Sequence, residues 1–191
     1  QRVGGYWHVL PMANQARKAI WDAVNPSTGR RRIDDAFPAT IRDSTREQDM
    51  FIRFVNGSTW QVVGSDNYNA LVGSPPVGVV FSEYALSDPS SWAFLRPILA
   101  ENGGWALFIS TPRGRNHFAK LVEFAQRDPH WFGQVLGVTQ TGAISAETIQ
   151  RELRELAAER GETEAKAIVA QEYECDFDAA IPGAYYGEGM S

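Results

Sequence analysis

Two groups of polar residues near the middle of the chain have the types and spacing needed to handle a phosphate. Glu83 follows the apolar run Val77–Phe81 closely, and Ser110 follows the apolar run Trp105–Ile109. A carboxylate can orient and polarise a water molecule for attack, and a hydroxyl group can hydrogen-bond a phosphate oxygen. This chemistry requires both groups to lie at the same place in the fold, so the elements that carry them decide whether it is possible.

The two apolar runs are typical of strands in a parallel sheet. Each run ends abruptly in polar residues, which predicts strands that are buried on both faces. The carboxyl ends of parallel strands meet at one edge of the sheet, where the sites of open α/β sheets gather. Glu83 and the Ser110-Thr111 pair are therefore expected at that edge, on neighbouring strands.

The rest of the sequence alternates between strand and helix patterns, which predicts an α/β fold. Strands are expected at Tyr6–Leu10 and Trp131–Thr139, and a hairpin around Asn56-Gly57, between Met50–Val55 and Ser58–Val63. Amphipathic spacing and capping residues predict helices at Ala13–Val24, Pro89–Glu101, Asn116–Asp128, Ser145–Arg160 and Thr163–Tyr173.

Composition narrows the class of protein. The 191 residues carry a formal net charge of −5, so any nucleic-acid contact would have to use a local basic patch. Cys175 is the one cysteine, so no internal disulfide can form, which fits a reducing compartment. We expect no signal peptide and no membrane span, because no apolar stretch is long enough. The chain begins with Gln1 rather than Met, and we expect it to be a fragment or a processed product.

At the two strand ends the sequence resembles the large terminase subunit of tailed bacteriophages and prophages, an ATP-driven motor that packages DNA. The segment Val77–Ala85, VGVVFSEYA, looks like that family's Walker B strand and catalytic glutamate. The segment Ser110–Phe118, STPRGRNHF, looks like its coupling motif and is the more specific of the two. The resemblance spans most of this chain but only part of the family's full length.

The resemblance implies a role for each residue at the two strand ends. Glu83 would activate the water that attacks ATP, while Ser110, Thr111 and Asn116 would contact the nucleotide and couple its hydrolysis to movement. Ser82 stands where the common Walker B form has an aspartate, so a neutral hydroxyl would replace a carboxylate in the outer shell of Mg²⁺. Simpler interpretations stay open, because Ser82 could satisfy its own backbone in a turn and Asn116 could cap the next helix.

The implied fold is a P-loop NTPase-like, mainly parallel sheet flanked by helices, without the Walker A strand and loop. No Gly-x-x-x-x-Gly-Lys-Ser/Thr phosphate loop occurs in the 191 residues, so we expect this chain alone to be inactive. We assign residues 1–170 to the C-terminal part of a terminase ATPase domain. Residues 171–191 are assigned to a linker or to the start of a following nuclease domain.

The resemblance also implies partners and a location. The partners are ATP with Mg²⁺, double-stranded DNA, the portal protein, the small terminase subunit and further copies of the subunit in a ring. The location is the bacterial host cytoplasm, at the procapsid portal, without membrane contact. Many family members carry an Arg-Gly pair ahead of Walker B where this chain has Val72-Gly73, so an arginine that acts on a neighbouring subunit would have to come from elsewhere. The candidates are Arg42, Arg46 and Arg53.

Two other functions fit parts of the sequence. The first is a catalytically dead prophage remnant or a protein-interaction domain. The second is a metal-dependent nuclease, because on a strand four carboxylates would line one face: Glu172, Glu174, Asp176 and Asp178. The same alternation fits the solvated face of a half-buried strand, which is the more common case.

Overall fold

The structure is a computed structural model that describes residues 2–71 and 75–179. The chain divides after Ser110 into two compact units. The Val72-Gly73 pair and the tail of residues 181–191 lie outside the described residues. The predicted domain boundary near Gln171 stays a prediction.

The first unit is built on one six-stranded sheet. Its strands are β1 Gly5–Leu10, β2 Arg42–Arg46, β3 Phe51–Phe54, β4 Thr59–Gly64, β5 Pro76–Ser82 and β6 Trp105–Ile109. The spatial order is β2-β3-β4-β1-β5-β6; β1, β4, β5 and β6 are parallel, and β3 is antiparallel to both of its neighbours. The predicted hairpin joins β3 to β4, and Gly57 supplies its positive φ of 85°. The mainly parallel α/β sheet is confirmed.

The helices of the first unit follow the carboxyl ends of the parallel strands or lie between β1 and β2. They are α1 Ala13–Ala16, which continues as a π-helical segment Arg17–Trp21, α2 Arg32–Ala36 and α3 Pro89–Asn102. Helix α3 begins as predicted, because the Asp88 side chain accepts a hydrogen bond from the Ser90 N–H at 2.8 Å. Leu95 and Leu99 of α3 are buried, and the helix packs on β5. This packing covers one face of the strand that leads to Glu83.

A second hydrophobic cluster holds the segment between β1 and β2 on the sheet. Trp21 is fully buried and stacks on Trp60 of β4 with ring centroids 6.1 Å apart. Ile33 of α2 and Ile52 of β3 belong to the same cluster, as does Leu10 at the end of β1. Burial of these large side chains stabilises the arrangement in which β1 lies between β4 and β5.

Strand β6 differs from its prediction because it lies at the edge of the sheet. Trp105, Leu107 and Ile109 are 50%, 47% and 52% exposed. Phe108 points to the other face and stacks on Phe81 of β5 with centroids 5.1 Å apart. The prediction of burial on both faces is therefore wrong for β6, where one face of the edge strand stays half open.

The second unit is helical in the residues that the structure describes. It contains α4 His117–Ala125, α5 Val138–Thr141, α6 Ala146–Arg160 and α7 Glu162–Glu172, and α6 packs against α7. The predicted strand Trp131–Thr139 is wrong. Residues 131–137 are irregular, and the Val138 N–H donates to the Tyr173 carbonyl at 2.7 Å, so this segment packs on the end of α7 instead of joining a sheet. Within the described ranges, every helix is too short or too polar to cross a lipid bilayer.

Candidate functional site

The carboxyl ends of β5 and β6 bring the first predicted site residues together. Ser82, at the end of β5, pairs with Ile109 at the end of β6, so Glu83 and Ser110 follow adjacent strands. The Ser110 hydroxyl oxygen accepts a hydrogen bond from the Ala85 N–H at 3.2 Å. This bond ties the end of β6 to the turn that contains Glu83.

Glu83 has an unusual backbone conformation. Its φ of 56° and ψ of 40° lie in the left-handed region, which non-glycine residues rarely adopt. The Glu83 carbonyl accepts a hydrogen bond from the Leu86 N–H at 2.9 Å, which closes the 3₁₀ turn Tyr84–Leu86. The Glu83 carboxylate is partly exposed and has no hydrogen-bond or ion-pair partner among the described residues.

Aromatic side chains anchor the turn after Glu83. Tyr84 is buried, and its ring lies edge-on to Phe81 and to Phe108 with centroid distances of 5.2 and 4.7 Å. Burial, together with the nearby charge of Asp88, raises the pKa of the Tyr84 hydroxyl to about 12. The Tyr84 ring stays neutral across physiological pH, so the anchor does not change with pH.

Ser82 contacts a histidine on the neighbouring strand. His8 of β1 lies beside β5, and its Nε2 atom is 2.8 Å from the Ser82 hydroxyl oxygen. Burial of the imidazole lowers the pKa of His8 below its ordinary value of 6.5, so the ring is neutral at pH 7. Ser82 therefore bonds across the sheet rather than to its own backbone in a turn.

Thr111 and Asn116, the other residues predicted to contact the nucleotide, lie in the second unit. The Asn116 side-chain oxygen accepts a hydrogen bond from the Phe118 N–H at 3.0 Å and caps α4. The Thr111 hydroxyl oxygen is buried. The helix-capping interpretation of Asn116 is thus confirmed, and a nucleotide role for Thr111 and Asn116 stays a prediction.

The chain is similar to known proteins in sequence and in fold. No family model matches it. The terminase large subunit of Escherichia phage T5 is 32% identical over 143 residues, which cover 72% of this chain and 30% of that protein. This chain is related to the large terminase subunits of bacteriophages. It spans less than a third of the T5 protein's length, so the activity of a whole terminase is a proposal for this chain.

Solved terminase structures show the same fold. A mutant of the ATPase domain of the Thermus phage P74-26 large terminase aligns with a TM-score of 0.66 at 20% identity, over 91% of this chain and 77% of that domain. A large terminase from a thermophilic bacteriophage, in complex with ADP, aligns with a TM-score of 0.58 at 16% identity, over 81% of this chain and 37% of that protein. The predicted terminase ATPase fold is confirmed.

The terminase relationship makes the three candidate arginines worth ranking. Arg42 is 11% exposed and donates to the Phe37 and Ile33 carbonyls at 2.6 and 2.8 Å, and to the Asp34 carboxylate at 2.8 Å. These bonds occupy the Arg42 guanidinium within its own unit. Arg46 and Arg53 are more than half exposed, so they remain as candidates.

The four carboxylates from Glu172 to Asp178 do not line one face of a strand. The predicted strand is absent, because α7 ends at Glu172 and residues 173–179 are irregular. Glu172 pairs with Arg113, Asp178 pairs with Arg115 at 2.8 Å, and Glu174 accepts from Thr139. Among the described residues, no group of three acidic, histidine or cysteine side chains could hold a metal ion. The nuclease interpretation therefore has no support in this structure.

Sequence reasoning missed two side chains beside the candidate site. His8 belongs to no motif in the sequence, yet the position of β1 next to β5 brings it to Ser82. Ser65, just after β4, is fully buried and donates to the Pro11 carbonyl at 2.9 Å while accepting from the Asp88 N–H at 3.2 Å. Both contacts depend on strand order, and no local signal in the sequence could have revealed them.

Proposed function

We propose that this chain is part of the ATPase domain of a phage terminase large subunit, and that Glu83 activates the water that attacks ATP. One observation carries the proposal. Glu83 holds a left-handed conformation at the carboxyl end of a central parallel strand, with a carboxylate that no described group neutralises. Backbone strain of this kind concentrates at functional sites, and the edge at strand ends is where such sheets bind their substrates.

The groups around Glu83 suit phosphoryl transfer to water. A carboxylate base has to accept a proton from water placed in line with the transferred phosphate. Ser110 lies at the end of the adjacent strand, and its hydroxyl oxygen accepts a hydrogen bond from the Ala85 N–H in the turn after Glu83. A nucleotide that contacts Ser110 would therefore change this bond close to Glu83. Thr111 and Asn116 follow in the chain and complete the proposed coupling segment. Large terminase structures with ADP and with ATP-γ-S support nucleotide binding by the relatives.

The side chains at this edge fit Mg²⁺ that arrives with the nucleotide. Mg²⁺ keeps several waters and is usually held by one or two carboxylates together with substrate phosphates. The edge offers the Glu83 carboxylate and the hydroxyl of Ser82, which is too few ligands for a resident metal but enough for an outer shell. The bound ion would supply charge neutralisation for the phosphates.

The wider role follows from the terminase relationship and is part of the proposal. The intact protein would translocate double-stranded DNA into a procapsid in the host cytoplasm, as a ring of subunits that contacts the portal and the small terminase subunit. Residues 1–170 would form the later part of the ATPase domain, and residues 171–191 would lead towards a nuclease domain. The chain alone, which has no phosphate-loop motif, would bind ATP weakly.

The decisive experiment replaces Glu83 with glutamine in the intact gene product. Loss of a general base lowers turnover by about 10²- to 10⁴-fold, while the similar shape of glutamine preserves the fold. Glu101→Gln is the matched control, since Glu101 is an exposed glutamate near the end of α3. Steady-state phosphate release measures both variants. Full activity in Glu83→Gln would exclude the assigned role, and an inactive wild-type protein would favour the remnant interpretation.

A further inference from the structure

The contact between His8 and Ser82 leaves open which group donates. A hydroxyl has one hydrogen and two acceptor positions, and a neutral imidazole has one donor nitrogen and one acceptor nitrogen. At 2.8 Å, either His8 Nε2 donates to the Ser82 oxygen, or the Ser82 hydroxyl donates to an unprotonated Nε2. The two arrangements leave Ser82 with different hydrogen-bonding character at the sheet edge.

The difference matters for a cation carried by a nucleotide. Water bound to Mg²⁺ presents its hydrogens outward, so a protein group in the outer shell must accept. A carboxylate only accepts, whereas a serine hydroxyl can also turn its hydrogen towards the water. A serine whose hydrogen is held elsewhere behaves, in this respect, like a carboxylate.

We propose that His8 is a positioning residue whose unprotonated Nε2 holds the Ser82 hydroxyl hydrogen, so that the Ser82 oxygen is an acceptor for water around the nucleotide-bound cation. This inference rests on the proposed function and explains how serine serves where the common Walker B form has aspartate. The geometry brings the two groups together, because His8 lies inside the sheet between β4 and β5 with Nε2 2.8 Å from the Ser82 hydroxyl oxygen. The imidazole is also edge-on to Trp60, with centroids 6.4 Å apart.

The tautomer can be measured on the 191-residue chain without any nucleotide. Two-dimensional ¹H–¹⁵N spectra that correlate the ring carbon protons with both nitrogens distinguish a protonated from an unprotonated nitrogen. His8→Phe assigns the signal, and His130, which is exposed, serves as the internal reference. We expect Nε2 of His8 to be unprotonated and Nδ1 to carry the hydrogen at neutral pH. A protonated Nε2 overturns the proposal, whatever the protein does with ATP.

The consequence for the cation is measured in the intact protein. The readout is the Mg²⁺ concentration that gives half-maximal binding of a fluorescent, non-hydrolysed ATP analogue. Ser82→Ala and His8→Phe should each raise it by about threefold to tenfold, the worth of one hydrogen bond, and the double variant should raise it no further. His8→Gln, whose amide oxygen can accept the same bond, should restore most of the affinity.

A substitution that makes His8 dispensable completes the test. Ser82→Asp supplies an acceptor that needs no positioning, so adding His8→Phe to it should leave the Mg²⁺ requirement unchanged. The role of His8 would be overturned if the effects of Ser82→Ala and His8→Phe on the Mg²⁺ requirement multiplied in the double variant. It would also be overturned if His8→Phe raised the Mg²⁺ requirement in the Ser82→Asp background. Thermal unfolding of each variant separates such a loss from misfolding. An intact protein that binds no analogue at any Mg²⁺ concentration overturns the proposed function, while the role of His8 is decided by its tautomer.

Discussion

The left-handed backbone of Glu83 predicts that glycine is more stable than alanine at this position. A left-handed conformation costs an L-residue about 1–2 kcal/mol, and glycine avoids that cost. Glycine also loses about 0.4–1 kcal/mol more than alanine through the greater freedom of the unfolded chain. The difference leaves Glu83→Gly more stable than Glu83→Ala by up to about 1.6 kcal/mol, with a central value of about 0.8 kcal/mol. Both variants lack the carboxylate, so its loss cancels in the comparison.

Urea unfolding followed by tryptophan fluorescence measures the two variants. Ala93 provides the control because it is exposed within α3, where the ordinary order holds and Ala93→Gly should be destabilised by about 1 kcal/mol. We expect the glycine variant to be more stable than the alanine variant at position 83, and glycine to be less stable than alanine at position 93. If glycine is less stable than alanine at position 83 as well, the turn relaxes when the carboxylate is removed, and the argument from strain fails. Both variants should be inactive as ATPases in the intact protein.

Three further predictions concern stability and association. Burial lowers the pKa of His8, so the unfolded chain binds a proton at this residue more readily than the folded chain, and the free energy of unfolding should fall as the pH drops below 6.5. Chemical denaturation at several pH values measures this dependence, and His8→Gln should flatten it. An unchanged slope would contradict the burial argument. Arg42→Met should lower the free energy of unfolding by about 3 kcal/mol, because it leaves the Phe37 carbonyl without its donor and removes one of the donors to the Ile33 carbonyl and to the Asp34 carboxylate. Exposed Arg53→Met should change it by less than about 0.5 kcal/mol in the same measurement. Leu107→Lys should reduce concentration-dependent self-association in analytical ultracentrifugation, because β6 is an edge strand whose apolar side chains Trp105, Leu107 and Ile109 are half exposed. Equal self-association of the variant and the original chain would exclude β6 as the contact.

Local chemistry explains what the sequence could predict. The Asn56-Gly57 turn requires positive φ and glycine provides it, and side chains at helix starts such as Asp88 and Asn116 accept the unpaired backbone N–H groups. Strands β5 and β6 also follow from uninterrupted apolar runs, and β1 follows from an apolar run that only His8 interrupts. These features depend on a few adjacent residues, so they can be inferred before the fold is known.

Strand order and packing decided the features that the sequence could not predict. The half-open face of β6 results from its edge position, and the run Trp131–Thr139 is bonded through Val138 to Tyr173 at the end of α7. Three of the four alternating carboxylates after Gln171 pair with an arginine or a threonine, since the backbone there does not align them on one face of a strand. In each case the sequence contains the apolar or acidic pattern, but residues far away in the chain decide which structure the pattern forms.

The conformation of Glu83 links stability to function. The chain has to turn sharply after β5, because Tyr84 and Ala85 are both buried immediately beyond it. Glycine would make this turn with less strain, so stability does not explain a long charged side chain there. Burial does not explain it either, since the Glu83 carboxylate has no polar partner among the described residues. What remains is the chemistry of a carboxylate at the carboxyl edge of a parallel sheet, held in place by a turn that Tyr84 and Ser110 anchor. The left-handed backbone at position 83 costs stability, and the carboxylate bonds to no described residue, so we infer that it acts on a substrate. Glu83→Gly and Glu83→Ala test this inference through stability, and Glu83→Gln tests it through ATP hydrolysis.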